Sequence, residues 1–266
     1  MYCEAKKGED NLLSRIFLRA IRKNKKYNLK VKEIVLGRKF TYVMTEESLG
    51  IAFNPLLEPP DSSLILEDKT IEDLVCLVWS HPTLSSIALA AINAASSLWL
   101  EDNKDKVLWN ADITKLIPSG NIAVIGYLEK EVKKLIDKGS EVTVYEFDRD
   151  HLRDAMKEGI KVKYGYQLPI DVNKYDAFVI TGASLVYPEI LPILKNNSYK
   201  VMIGPTSSFF PCIADELNIN VLGGSKIVDI EKVSKLIKAG FGFKALTRYV
   251  QKWTWLGKSV ISDWNH

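Results

Sequence analysis

The chain has 266 residues, with 36 Lys and Arg against 33 Asp and Glu, for a net charge of +3. So small an excess does not argue for a nucleic acid partner, and the length suits one large domain or two modest ones. The opening "MYCEAKKGED" lacks the apolar core of a signal peptide. The longest apolar stretch, Ser85 to Leu100, is interrupted by Ser and Asn and is too short to span a bilayer, so a soluble cytoplasmic protein without a membrane partner is expected.

In chain order, Asn11 to Asn24 places Leu12, Ile16 and Ala20 at helical spacing, and the Lys23, Lys25, Lys26 patch reads as its solvated end. "KVKEIVLGRKFTYVMTEESLGIAFNP" is rich in β-branched and aromatic residues around a Gly37-Arg38-Lys39 turn, the pattern of an antiparallel meander. Thr70, followed by Glu72 and Asp73, predicts the N-cap of a helix ending near Trp79. Thr83 is the expected cap of a second, mostly apolar helix through Leu100. This half reads as a smaller α+β domain, residues 1–118.

From residue 119 to 266 the texture changes to α/β. "NIAVIGY", "EVTVYEFD", "YDAFVITG", "KVMIGP" and "INVLGG" are continuous apolar runs, which is how strands covered on both faces read. Between them lie helical segments: "EKEVKKLIDKG" stopped by Gly139, "LVYPEILPILKN", "SFFPCIADEL", and "DIEKVSKLIKAG" from Asp229 to Gly240. The alternation predicts a parallel sheet with helices on both sides. Trp253 and Trp255, in the tail, are expected to pack at the domain junction or in a dimer.

Ligands of such sheets bind at the carboxyl ends of the strands. Those ends carry Gly126-Tyr127, Glu146-Phe147-Asp148, Thr181-Gly182-Ala183-Ser184, Gly204-Pro205-Thr206-Ser207 and Gly223-Gly224-Ser225. Glycine lets a ligand approach the backbone, and the hydroxyls donate to an anion; the plainer reading of each turn is a βα connection with a cap. Glu146 stands twenty residues after Gly126, the offset of an acid that grips a ribose hydroxyl, and reads equally as a solvated strand-end acid. "VIGYLEKEV" has one glycine where a dinucleotide fingerprint needs three, so classical NAD binding is disfavoured and S-adenosylmethionine stays open.

Other constellations are thinner. Asp148 and Asp150 beside Glu146 offer oxygens to a hard cation, although Asp150 capping the next helix and Asp148 facing solvent is the simpler reading. His81, His151 and His266 share no metal-ligand spacing. Cys3, Cys76 and Cys212 form no C-x-x-C pair, so no disulfide framework is indicated, and Cys212 reads as a small core thiol. No nucleophile–base pair is assignable, so no catalytic residue is named. Of the 36 cations 29 are Lys, and Gln occurs only at Gln167 and Gln251, a composition that fits a hot-growing organism.

As an ordered set, "IAVIGY…VTVYEFD", "DAFVITGASLV", "VMIGPTSSFFP", "INVLGGSKIVD" and "IKAGFGFKALTRYVQKW" resemble the heavy-metal chelation family of uncharacterised prokaryotic proteins. "EIVLGRKFTYV" and "LAAINA" resemble its first domain. The resemblance implies an enolase N-terminal-like α+β domain before a Rossmann-like domain, and a heavy metal or metal-containing cofactor held in the cleft between them. Carried over by position, that cleft uses Thr181, Gly182, Ser184, Gly204, Pro205, Thr206, Gly223, Gly224 and Asn93. Tyr187 stands where the family usually has Asn. Soft metals prefer thiolate and imidazole, which are scarce here. Three readings follow: a metal-linked protein using oxygen donors, ligands shared across a dimer, or metal already inside an organic ligand; an S-adenosylmethionine- or nucleotide-binding enzyme or sensor; and a non-catalytic module that assembles through its Trp-rich tail.

Overall fold

A computed structural model describes residues 11–58, 68–170 and 172–264. Helix α1, Leu12–Lys23, is capped by Asn11, whose side chain accepts from the Ser14 amide. The meander β1 (Glu33–Leu36), β2 (Phe40–Met44) and β3 (Leu49–Phe53) pairs antiparallel in sequence order. Helix α2, Ile71–Val75, starts at a capping box between Thr70 and Asp73, as that spacing predicts. It ends short of Trp79, which takes a positive φ of 63°. Helix α3, Pro82–Asp102, is capped not by Thr83 but by His81, whose Nδ1 accepts from the Thr83 amide. Pro82 explains the shift: it fits the first helical position, so the cap falls on the residue before it, two residues earlier than Thr83.

The second sheet orders its strands β4-β11-β10-β9-β8-β5-β6-β7, from β4 (Leu108–Trp109), β5 (Asn121–Ile125), β6 (Glu141–Glu146), β7 (Lys161–Tyr164), β8 (Ala177–Thr181), β9 (Tyr199–Ile203), β10 (Val221–Ile227) and β11 (Val250–Leu256). Strands β5 to β10 run parallel, while β11 is antiparallel to both β10 and β4. The chain winds β5-β6-β7 one way and β8-β9-β10 the other, so the switch point lies between β5 and β8. This is a Rossmann-like sheet beside a small α+β lobe.

Connecting helices are α4 (Glu129–Asp137), α5 (Arg149–Lys157), α6 (Leu191–Lys195), α7 (Pro211–Glu216) and α8 (Ile230–Lys238), then α9 (Phe243–Leu246) and α10 (Lys258–Trp264). The helix expected over "LVYPEILPILKN" is instead broken into two 3-10 turns and the short α6. Pro188 and Pro192 lack the N–H groups a continuous helix needs, and Tyr187, before Pro188, is extended at φ −115°.

Helix α3 joins the two lobes. It is long and apolar enough to cross a membrane, but 83% of that apolar window is buried inside the protein. One core runs through it without a break, from Leu13 and Phe17 of α1 and Val43 and Ala52 of the meander to Phe178, Met202 and Trp253 of the large sheet. Each large side chain so buried contributes about 1.5–3 kcal/mol. Strand β3 lies so close to α3 that a Cβ at Gly50 would stand 2.1 Å from the Ala90 carbonyl oxygen. The other face of the meander, with Tyr42 and Ile51, packs on Val233 and Ile237 of α8. Lys200 in β9 is fully buried, its amine donating to the Asn196 carbonyl.

Candidate functional site

The strand ends divide into two regions. Around β9 and β10 the polar groups are bonded back into the protein. Asn93, buried on α3, donates from Nδ2 to the carbonyls of Ile51 (2.8 Å), Thr206 (3.0 Å) and Pro205 (3.4 Å), tying the helix to the meander and to the 205–207 turn. Thr206 accepts from the Phe53 amide at 2.9 Å. Ser207 donates to the Gly204 and Gly223 carbonyls, and Ser208 donates to Pro205 while accepting from the Ser225 amide.

The glycines here serve packing. A Cβ on Gly182 would stand 2.5 Å from the Ser207 nitrogen, and one on Gly224 2.4 Å from the Trp253 ring. Gly223 and Gly224 do not end a strand as expected, because β10 runs on to Ile227. The antiparallel partner β11 carries it past the end of β9, with Gly224 opposite Trp253. Trp253 fills the intrachain core.

At the switch point the arrangement is looser. Gly126, at φ +83°, faces Thr181, whose methyl would lie 2.4 Å from a Cβ there. Thr181 is half-buried. Of the hydroxyls on Thr181, Ser184, Thr206 and Ser207, its own is the one without a hydrogen-bond partner among the described residues; Ser184 donates back to the Thr181 carbonyl at 2.7 Å. Gly204, at φ +121°, lies on the far side of that hydroxyl.

Glu146 ends β6 at 7% exposure. Its Oε2 accepts from the Tyr127 amide at 2.7 Å, and its Oε1 from the amides of Phe147 (2.6 Å) and Asp148 (2.9 Å). The carboxylate thus sits where the first βα turn would otherwise present an amide to an anion, and both oxygens are occupied. Burial raises its pKa, but hydrogen bonds from His151 and these amides outweigh that and hold it below the usual range. His151 Nδ1 lies 3.7 Å from Oε2, and this partner pushes the imidazole pKa up. Asp148, not Asp150, caps α5, accepting from the Asp150 and His151 amides; Glu146 ends the strand, which leaves Asp148 in the cap position. A histidine five residues after the strand-end acid was the signal available in the sequence for this pair.

Two further features were missed there. Phe147 stacks on Tyr187 at 5.9 Å between ring centroids and meets Tyr166 edge-on at 5.1 Å. Gly165 has no Cβ because the Phe147 ring occupies that space, and Tyr166 is 74% exposed. Asp148 is held below the usual carboxylate range, first by the hydrogen bond from the His151 amide, and Lys39 of the small lobe adds a smaller effect of the same sign.

Two family models match this chain, both described as "Putative heavy-metal chelation". DUF4213 covers residues 19–96 and DUF364 covers residues 110–256, more than half of the chain. The chain belongs to the DUF364 family. An uncharacterised protein of Methanocaldococcus jannaschii is 25% identical over 232 residues, spanning 80% of this chain and 85% of that protein. A DUF364 protein of unknown function from Pyrococcus horikoshii is 24% identical, with a TM-score of 0.78 over 93% of this chain and 100% of its own. Another from Desulfitobacterium hafniense is 20% identical, with a TM-score of 0.74 over 92% of this chain and 96% of its own. At these identities the solved structures establish the shared fold.

The donor set of this DUF364 protein does not fit a bare soft metal ion. Among the described residues no three His, Cys, Asp or Glu side chains are grouped to hold one. Cys212 is a free thiol on the surface of α7 rather than in the core.

Proposed function

We propose that this DUF364 protein binds a small organic molecule at the switch-point half of the rim, and that any metal it handles arrives already enclosed in an organic chelator. The observation that carries the reading is the unbonded Thr181 hydroxyl between Gly126 and Gly204, within an edge that continues through Glu146 to the rings of Phe147, Tyr187 and Tyr166. Aromatic faces take flat unsaturated ligands, the hydroxyl adds a directed hydrogen bond, and Lys39 supplies positive charge from the small lobe. A grouped donor set, which a bare ion needs, is lacking among the described residues.

The S-adenosylmethionine or nucleotide reading rests on Glu146 as a ribose acceptor and on the glycine turns. The three backbone amides that hold the Glu146 carboxylate leave it little acceptor capacity for a ribose hydroxyl.

Calorimetric titration tests the proposal with cobalt, nickel and zinc chlorides on one side and a cobalt corrinoid on the other. Saturable binding of the corrinoid, weakened at least tenfold by Tyr187→Ala or Thr181→Val, is expected, with no saturable uptake of the free ions; a tenfold loss corresponds to about 1.4 kcal/mol. Saturable uptake of a free ion that survives both substitutions overturns it. Saturable S-adenosylmethionine binding would move the assignment to the nucleotide reading.

A further inference from the structure

The sealed half of the rim contains a group of polar atoms that neither the family description nor the reading above uses. Asn93 Oδ1, Ser96 Oγ and Trp253 Nε1 are buried and lack hydrogen-bond partners among the described residues. The Asn93 amide cannot be turned to relieve this. Its nitrogen already faces three carbonyls, and an oxygen placed there would meet only acceptors.

The segments that carry the three atoms adjoin one another. Ser96 lies one helical turn beyond Asn93 on α3. Trp253 Nε1 is 2.9 Å from where a Gly224 Cβ would stand. The Ser225 amide bonds Ser208 Oγ, which bonds the Pro205 carbonyl, itself a partner of Asn93 Nδ2. Further along the same line, Lys226 of β10 pairs with Glu101 of α3, so helix and strand run side by side past this point. Trp253 belongs to the core cluster that contains α3, which puts its ring on the helix side of the sheet.

Buried polar groups of native proteins find a partner in protein or in ordered water, because leaving one unpaired is costly. We propose that ordered water occupies this junction and bridges Asn93 Oδ1, Ser96 Oγ and the Trp253 indole N–H. The group offers one acceptor, one donor and one hydroxyl, all uncharged, while Lys226 and Glu101 neutralise each other. An ion would find no countercharge, and water needs two to four such partners.

The test is solution NMR on the full-length protein, recording magnetisation exchange between water and the tryptophan indole protons, with Trp253→Phe identifying the Trp253 resonance. Backbone-directed assignment replaces that variant if it does not fold. A long-lived water cross-peak at Trp253, together with a fall of about 2–4 °C in the Tm of Ser96→Ala, is expected, because the substitution removes a water partner without disturbing the ring. Absence of the cross-peak overturns the proposal. So does a rise in Tm for Ser96→Ala, the response of a dry site relieved of a stranded hydroxyl.

Discussion

The rim around β9 and β10 and the rim around β5, β6 and β8 are built from the same residue types, yet one is closed and the other accessible. On the first side Asn93, Thr206 and Ser207 bond to carbonyls and amides of neighbouring segments, and the glycines make room for Ser207 and Trp253. On the second, Thr181 keeps its hydroxyl unbonded and Tyr166 stands open to solvent. Glycine–hydroxyl turns on a parallel sheet therefore serve two purposes, lobe fusion and ligand access. What separates them is whether another element, here α3 and the meander, has already taken the donors.

Substitutions on the closed side should break the fold first. Gly224→Ala forces a methyl into the buried Trp253 ring and should cost on the order of 3 kcal/mol, a fall in Tm of roughly 6–12 °C by circular dichroism. Asn93→Ala leaves three carbonyls without their donor and should cost about 2–3 kcal/mol in urea unfolding. It should also be non-additive with Thr206→Val, since both side chains fasten the 205–207 turn to the small lobe. Additive losses would show that the two contacts act separately.

On the accessible side the effects are smaller. The His151 imidazole should titrate above its ordinary 6.5, and Glu146→Gln should lower it, both read from its proton chemical shift. Its contribution to stability is present below the unfolded value and is lost as pH rises through the folded one. With His151 largely exposed, solvent screening keeps that contribution under about 1 kcal/mol. Tyr166→Ala should change stability by no more than about 0.5 kcal/mol while weakening any ligand of the aromatic set. A larger loss would mean that Tyr166 supports the fold.

Much of this architecture was legible in the residues. Continuous apolar runs such as "NIAVIGY" and "DAFVITG" read correctly as parallel strands buried on both faces, and the Thr70 box and the Asp229 cap appear where their spacing predicts. The departures have local causes. Gly223 and Gly224 look like a turn until β11, supplied by residues 250–256, extends β10 beyond its parallel neighbour. Asp150 is the expected cap, yet Asp148 takes that place, because the last residue of β6 decides between them. Asn93 was picked out by resemblance as a cleft residue, but its carbonyl partners come from segments 42 and 113 residues away. The aromatic contacts of Phe147 likewise join side chains from separate loops, and no periodicity reports them.

At the opposite end of the sheet, Lys200 has a consequence for conditions of use. Burial pulls its amine from the ordinary 10.5 down to about 8. Between those values the unfolded chain carries the extra proton, so proton uptake favours unfolding and stability rises with pH across that window. The protein should resist urea better at pH 9.5 than at pH 7.5, and Lys200→Met should remove most of that gain by making the core indifferent to protons. Mildly alkaline buffer is then the medium in which the buried Lys200 opposes folding least.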